Sequence, residues 1–159
     1  MRAAALAISA LAFASAPARA DCDHFKWSVA RERAAFAAAP ASLPASGGAA
    51  EPGKGYALRL AKDVKLPVAP ERAPGADRSA GVAILQKLAA GLYQITLSEE
   101  AWIDVAENGA LVKSSDFSGQ KDCPGVRKSV RFQLAAGSAT VEISNANVGK
   151  VLFAVEPAN

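Results

Sequence analysis

Histidine, cysteine and methionine are scarce in this 159-residue chain, which has one His, two Cys and one Met. Those counts exclude a Cys₄ zinc site and an all-His metal centre. Aromatic residues make up only 6% of the chain. Beyond the N-terminal region no apolar span reaches the ~20 residues that an ordinary membrane helix needs. Long Lys/Arg runs are also missing: Arg31/Arg33 and Arg127/Lys128/Arg131 are small and interrupted, which argues against a nucleic-acid partner. There is no nucleotide-binding or hydrolase motif. What is present is a 51% hydrophobic composition, which excludes global disorder, and a length suited to one domain.

The N-terminus reads as an export signal. Met1-Arg2 supplies a positive start, residues 3–13 are apolar, and Ala18-Arg19-Ala20 offers the small residues that a signal peptidase reads. Asp21 separates these small residues from Cys22, which argues against a lipoprotein signal. The expected division is therefore a signal peptide over 1–20 and a mature chain from Asp21, periplasmic or secreted. Loss of Arg2 and Arg19 leaves sixteen basic against fifteen acidic side chains, so the net charge falls from +3 to +1.

In an exported chain the two cysteines predict one disulfide, Cys22 to Cys123, since no other pairing exists and neither belongs to a C-x-x-C pair. Residues 21–39 suggest an amphipathic helix, capped by Asp21 or Asp23, with Phe25, Val29 and Phe36 on one face and Arg31, Glu32 and Arg33 outward. Residues 40–55 are rich in Pro, Gly and small residues and predict a flexible linker. From Tyr56 the hydrophobic period becomes two. A Pro-rich loop around Pro67, Pro70 and Pro74 is followed by strand patterns at 82–88, 92–97, 102–105, 111–113, 129–134, 139–143 and 151–155. Asn108-Gly109 is the strongest hairpin signal. About eight short antiparallel strands at this spacing predict a mainly β fold over 56–159, a jelly-roll-like β-sandwich preceded by one short helix.

Two resemblances follow from particular segments. Gly91-Leu92-Tyr93-Gln94-Ile95, Trp102-Ile103-Asp104-Val105, Val130-Arg131-Phe132-Gln133-Leu134, Ala136-Gly137 and Thr140-Val141-Glu142-Ile143 together resemble the bacterial pre-peptidase C-terminal sandwich, over about residues 80–156. That resemblance implies an accessory or binding role without catalysis. The opening Asp21-Cys22-Asp23-His24-Phe25 and the following Trp27-Ser28-Val29-Ala30-Arg31-Glu32-Arg33 resemble a group of short exported proteobacterial proteins of uncharacterised type, some labelled homogentisate 1,2-dioxygenase. A ring-cleaving mononuclear iron site of that type needs two His and a carboxylate. This chain offers His24 alone, so the label reads as a misassignment.

Candidate chemistry is sparse. Asp23 and His24 are weak metal candidates, as are Asp104, Asp116 and Asp122 for a loop Ca²⁺. Adjacent ligands rarely converge on one ion and no D-x-D-x-D-G spacing occurs, so capping and solvated roles are favoured and no cofactor is expected. Ser114-Ser115-Asp116 and Ser98-Glu99-Glu100 could form a hydrolytic site only if His24 folded against them. Trp27, Trp102, Tyr56 and Tyr93 could line a sugar-binding face, although core packing is the commoner fate of such rings. Lys121, Arg127, Lys128 and Arg131 could meet an anionic partner. The expectation is an envelope binding or accessory module, more a binder than an enzyme, whose partner is an envelope protein or a small ligand. Its rivals are a metal-dependent enzyme using His24 and an inhibitor or structural envelope protein.

Overall fold

The computed structural model describes residues 22–158, so the expected signal peptide and Asp21 lie outside the described residues. One short helix, α1 (Ala30–Ala37), precedes eleven strands. They are β1 (Ala41–Leu43), β2 (Ala49–Ala50), β3 (Gly55–Arg59), β4 (Ser79–Leu88), β5 (Gly91–Leu97), β6 (Trp102–Glu107), β7 (Ala110–Val112), β8 (Ser114–Gly119), β9 (Lys128–Leu134), β10 (Gly137–Ala146) and β11 (Lys150–Pro157). They form a six-stranded sheet, β1-β3-β11-β5-β9-β8, packed on a five-stranded sheet, β2-β4-β10-β6-β7. The expected mainly β sandwich with one short helix is what the described residues form.

Alternation builds the core. Tyr93, Ile95 and Leu97 of β5, Val130, Phe132 and Leu134 of β9, and Val151, Phe153 and Val155 of β11 bury one face of the first sheet. Ala83 and Leu85 of β4, Ile103 and Val105 of β6, and Val141 and Ile143 of β10 bury the facing side of the second. The hairpin at Asn108-Gly109 forms with both residues at positive φ, 52° and 78°, as a tight turn joining right-twisted strands requires.

The region expected to be a linker carries structure. β1 pairs parallel with β3 at the edge of one sheet, and β2 pairs parallel with β4 at the edge of the other. The chain thus steps from one sheet edge to the other between Leu43 and Ala49. It makes the same step on the opposite side between Val112 and Ser114. Leu43 and Val112 pack against the core at these crossings. Parallel edge strands of two or three residues leave almost no periodicity to read, which is why this segment looked featureless.

The helix is shorter than expected. Residues 22–29 form turns instead of a helical first turn, and no side chain caps the helix at Val29. Their polar groups are engaged by the sheet: Lys26 N–H donates to Ser118 Oγ at 3.1 Å, and Trp27 Nε1–H to Ser129 Oγ at 3.0 Å. The Cys22–Cys123 disulfide, with Cα atoms 4.7 Å apart, holds this end down. Phe25 and Val29 are buried with Cys123 and Val126, and Phe36 packs against them. Alanine-rich composition favours the α1 turns, Ala39 closes them at φ 55°, and Pro40 prevents continuation.

Glu32 corrects a second expectation. It points inward and is fully buried against the outer face of the first sheet. Gln94 Nε2 donates to its Oε1, as does Thr96 Oγ1 at 3.3 Å. Thr96 Oγ1 in turn accepts from the Ser129 hydroxyl, 2.8 Å away. Both donors to Glu32 stand on β5, beneath the helix, and satisfy Oε1, while Oε2 is buried without a partner among the described residues. No helix of the described residues is long and apolar enough to cross a membrane.

Candidate functional site

Each sheet's outer face has its own cover. α1 and residues 22–29 lie on the first sheet, and the Pro-rich loop 61–78 lies on the second, where Val68 N–H donates to Glu142 Oε1 at 2.7 Å. A cleft of about 460 Å³ opens where this loop meets the start of β6 and strands β8 and β9. Arg72 and Arg78 reach it from the loop, Arg127 and Lys128 from the start of β9, and Asn145 and Asn147 from the end of β10. Trp102 and the exposed Phe117 supply its apolar surface.

Charge is unevenly distributed in this cleft. Four cationic side chains face one carboxylate, Glu100, which pairs with Arg127 at 3.1 Å. Lys128 Nζ lies 4.7 Å from the centre of the Trp102 ring and donates to the Ala101 carbonyl at 3.1 Å. Arg72 stands 5.7 Å from the same ring. Arg72 is exposed, whereas Lys128 is partly desolvated against the ring, and burial lowers its pKa below the ordinary value. Asn145 adds a donor: its Oδ1 accepts from Gly75 N–H at 2.9 Å, while its buried Nδ2 has no partner among the described residues. Asn145 also holds a positive φ of 58°.

A second cavity, about 150 Å³, adjoins the first and shares Trp102, Phe117 and Lys128 with it. It enters between the sheets beside the end of β7 and reaches the core residues Ile103, Val130 and Phe132. Its polar lining is Glu71, Asp104, Ser114 and Lys128. Asp104 is buried, and its Oδ1 accepts from Trp102 Nε1–H at 3.1 Å. It pairs in register with Glu142 of β10. Burial raises the pKa of both carboxyl groups, and the Asp104 charge pushes Glu142 further the same way.

Of the residues anticipated from sequence, Trp102 and Arg127 meet in the cleft, together with Lys128. Trp27 and Arg131 meet elsewhere, on the outer face of the first sheet, where the guanidinium lies 4.2 Å from the indole centre and donates to Gln94 Oε1 at 3.1 Å. Tyr93 is a core residue whose hydroxyl donates to the Ala89 carbonyl at 3.0 Å, which corrects its candidacy as a ligand contact. Tyr56 is likewise buried and stacks on Phe153.

The metal candidates do not gather. Among the described residues no group of three or more His, Cys, Asp or Glu side chains is placed to hold an ion. Asp23, His24 and Asp122 are exposed near the disulfide, and the His24 carbonyl accepts from Gln120 Nε2 at 2.7 Å. Asp116 forms a surface ion pair with Lys26 at 2.6 Å, and that hydrogen bond lowers its pKa. Arg72, Arg78 and Asn145 were not anticipated, because topology brings them to Trp102 from distant stretches of sequence. The only local signal was an Arg on either side of Pro74-Gly75. No family model matches the chain, and no curated protein or solved structure matches it significantly.

Proposed function

We propose that the chain is an exported, non-catalytic binding or accessory module of the cell envelope, and that the cleft around Trp102 is its contact site for an anionic partner. The observation that carries this reading is the excess of four cations over one carboxylate in a single cleft, with an unpartnered buried amide donor among them. Anions gain most where cations are already held in place and partly desolvated. Export accounts for the disulfide, which persists in oxidising compartments, and the positive start with the A-x-A site supports the same placement. The resemblance to the pre-peptidase C-terminal sandwich supports a role in accessory binding.

Two measurements test the proposal. Intact-mass analysis of the chain recovered from the envelope is expected to show an N-terminus at Asp21 and one disulfide; retention of residues 1–20 overturns export. Titration of the ¹⁵N-labelled mature chain with inorganic phosphate is expected to move the amide signals of residues 101–102 and 127–128 and the Asn145 side-chain amide. Charge reversal by Arg72→Glu with Arg78→Glu should abolish those shifts. Shifts that are absent, or unchanged by the reversal, overturn the cleft as the anion site.

A further inference from the structure

The cationic cleft and the recess beside it differ in chemistry, and they meet at one rim formed by Trp102, Phe117 and Lys128. The recess has room for one ring: its volume is about 150 Å³, and an apolar cavity of roughly that size accommodates benzene. Val112, Val130 and Phe132 give it apolar walls. It also contains two carboxyl groups, Glu71 and Asp104, which disfavour an anion inside it. The cleft outside has the opposite preference, with Arg72, Arg78 and Lys128 at its surface. The two cavities therefore impose an orientation on any ligand that spans them, with the uncharged end inward and the oxyanion outward.

We propose that the joined cavities bind a small aryl anion, with one aromatic ring in the recess and a phosphate or carboxylate group in the cleft. The inference rests on the cleft being an anion site, as argued above, and adds the class of ligand. The ring would lie against Trp102 and Phe117 at the rim, where edge-to-face or offset contacts are available. The anion would reach the guanidinium groups of Arg72 and Arg78. Val112 sets the width of the recess, because it lines the wall where the chain crosses from one sheet to the other.

The test compares three probes by NMR: phenyl phosphate, inorganic phosphate and phenol. Phenyl phosphate is expected to bind about tenfold or more tightly than inorganic phosphate, a difference of about 1.4 kcal/mol. It should shift the Trp102 indole N–H and the amide of Ile103, which inorganic phosphate leaves in place. Val112→Phe, checked for an unchanged fold by its amide spectrum, should remove the preference while inorganic phosphate still binds. Arg72→Ala with Arg78→Ala should weaken both phosphates together. Equal affinity of the two phosphates, or phenol binding as tightly as phenyl phosphate, overturns the aryl-anion assignment and leaves the anion cleft standing. Failure of both phosphates to bind removes the cleft itself.

Discussion

The two outer faces of the sandwich are covered in different ways. On the first sheet the cover is covalently anchored by Cys22–Cys123 and closely packed. The helix approaches β3 so tightly that a Cβ at Gly55 would sit 2.4 Å from the Ala35 carbonyl oxygen. Beneath it, Glu32, Gln94, Thr96, Ser129, Trp27 and Arg131 form a connected hydrogen-bond and cation–π network. On the second sheet the cover is an irregular Pro-rich loop that reaches Glu142 through a backbone N–H. It leaves Asp104 Oδ2, Glu142 Oε2 and Ser144 Oγ buried without partners among the described residues, as the first cover leaves Glu32 Oε2 and Arg131 Nε. Buried polar groups stabilise a fold only when satisfied. The covers therefore differ in anchoring: the first is tied down by the disulfide and by side-chain hydrogen bonds, the second through a backbone N–H. The second is an irregular loop, and the cleft opens beside it.

The disulfide offers the sharpest way to break this contrast. Its loop spans 101 positions, and removing a native bond from a small disulfide-closed domain costs about 2–5 kcal/mol. Cys22→Ser with Cys123→Ser is expected to lower thermal stability by at least several degrees. Amide exchange should rise first in residues 23–39, because the core between the sheets does not depend on this bond. Equal stability, or simultaneous exposure of the core strands, would show that the cover is not a separate cooperative unit.

Gly55→Ala probes the same cover without touching the cysteines. The added methyl meets backbone of the helix, which cannot rotate away as a side chain could, so α1 must shift outward. Overpacking of this kind costs about 1–3 kcal/mol. The expected readout is a lower unfolding midpoint in urea, with chemical-shift changes concentrated in residues 30–37. An unaltered midpoint would mean that the helix rests loosely on β3.

How much of this contrast could be read from sequence follows from the same physics. The core strands were legible because Tyr93, Ile95 and Leu97, or Val151, Phe153 and Val155, alternate with the other face. The disulfide was legible because only one pairing exists. β8 escaped notice: in Ser114–Gly119 every residue but Ser118 is exposed, so an edge strand held by pairing with β9 leaves no apolar period. The start of α1 was misplaced because the 22–29 segment spends its donors on Ser118 and Ser129, about a hundred positions away. For the cleft, Trp102 and Arg127 were visible as residue types. Their meeting with Arg72, Arg78 and Asn145 depends on how loop 61–78 lies over β6 and β10, which no local pattern records.

The smallest expected effect separates the two faces by pH. Glu142 under the loop and Glu156 under the helix both have pKa values raised by burial. Arg31, 3.8 Å from Glu156, opposes the shift more than the Glu32 charge adds to it. Glu142 faces no cation among the described residues, only the Val68 N–H, which lowers its value, and the Asp104 charge, which raises it. A carboxyl group with a raised folded-state pKa contributes stability that is fully present below its unfolded value, here near 4.5, and is lost as pH rises through the folded value. Glu142→Gln keeps an oxygen for Val68 N–H and removes the charge, so it should match the parent near about pH 4 and exceed its melting temperature by a few degrees near about pH 8. Glu156→Gln removes the same desolvation cost but also loses its ion pair with Arg31, so its gain near about pH 8 should be smaller or nil. Melting curves of the two variants across that range decide the matter. If both gained equally, the two faces would be electrostatically alike.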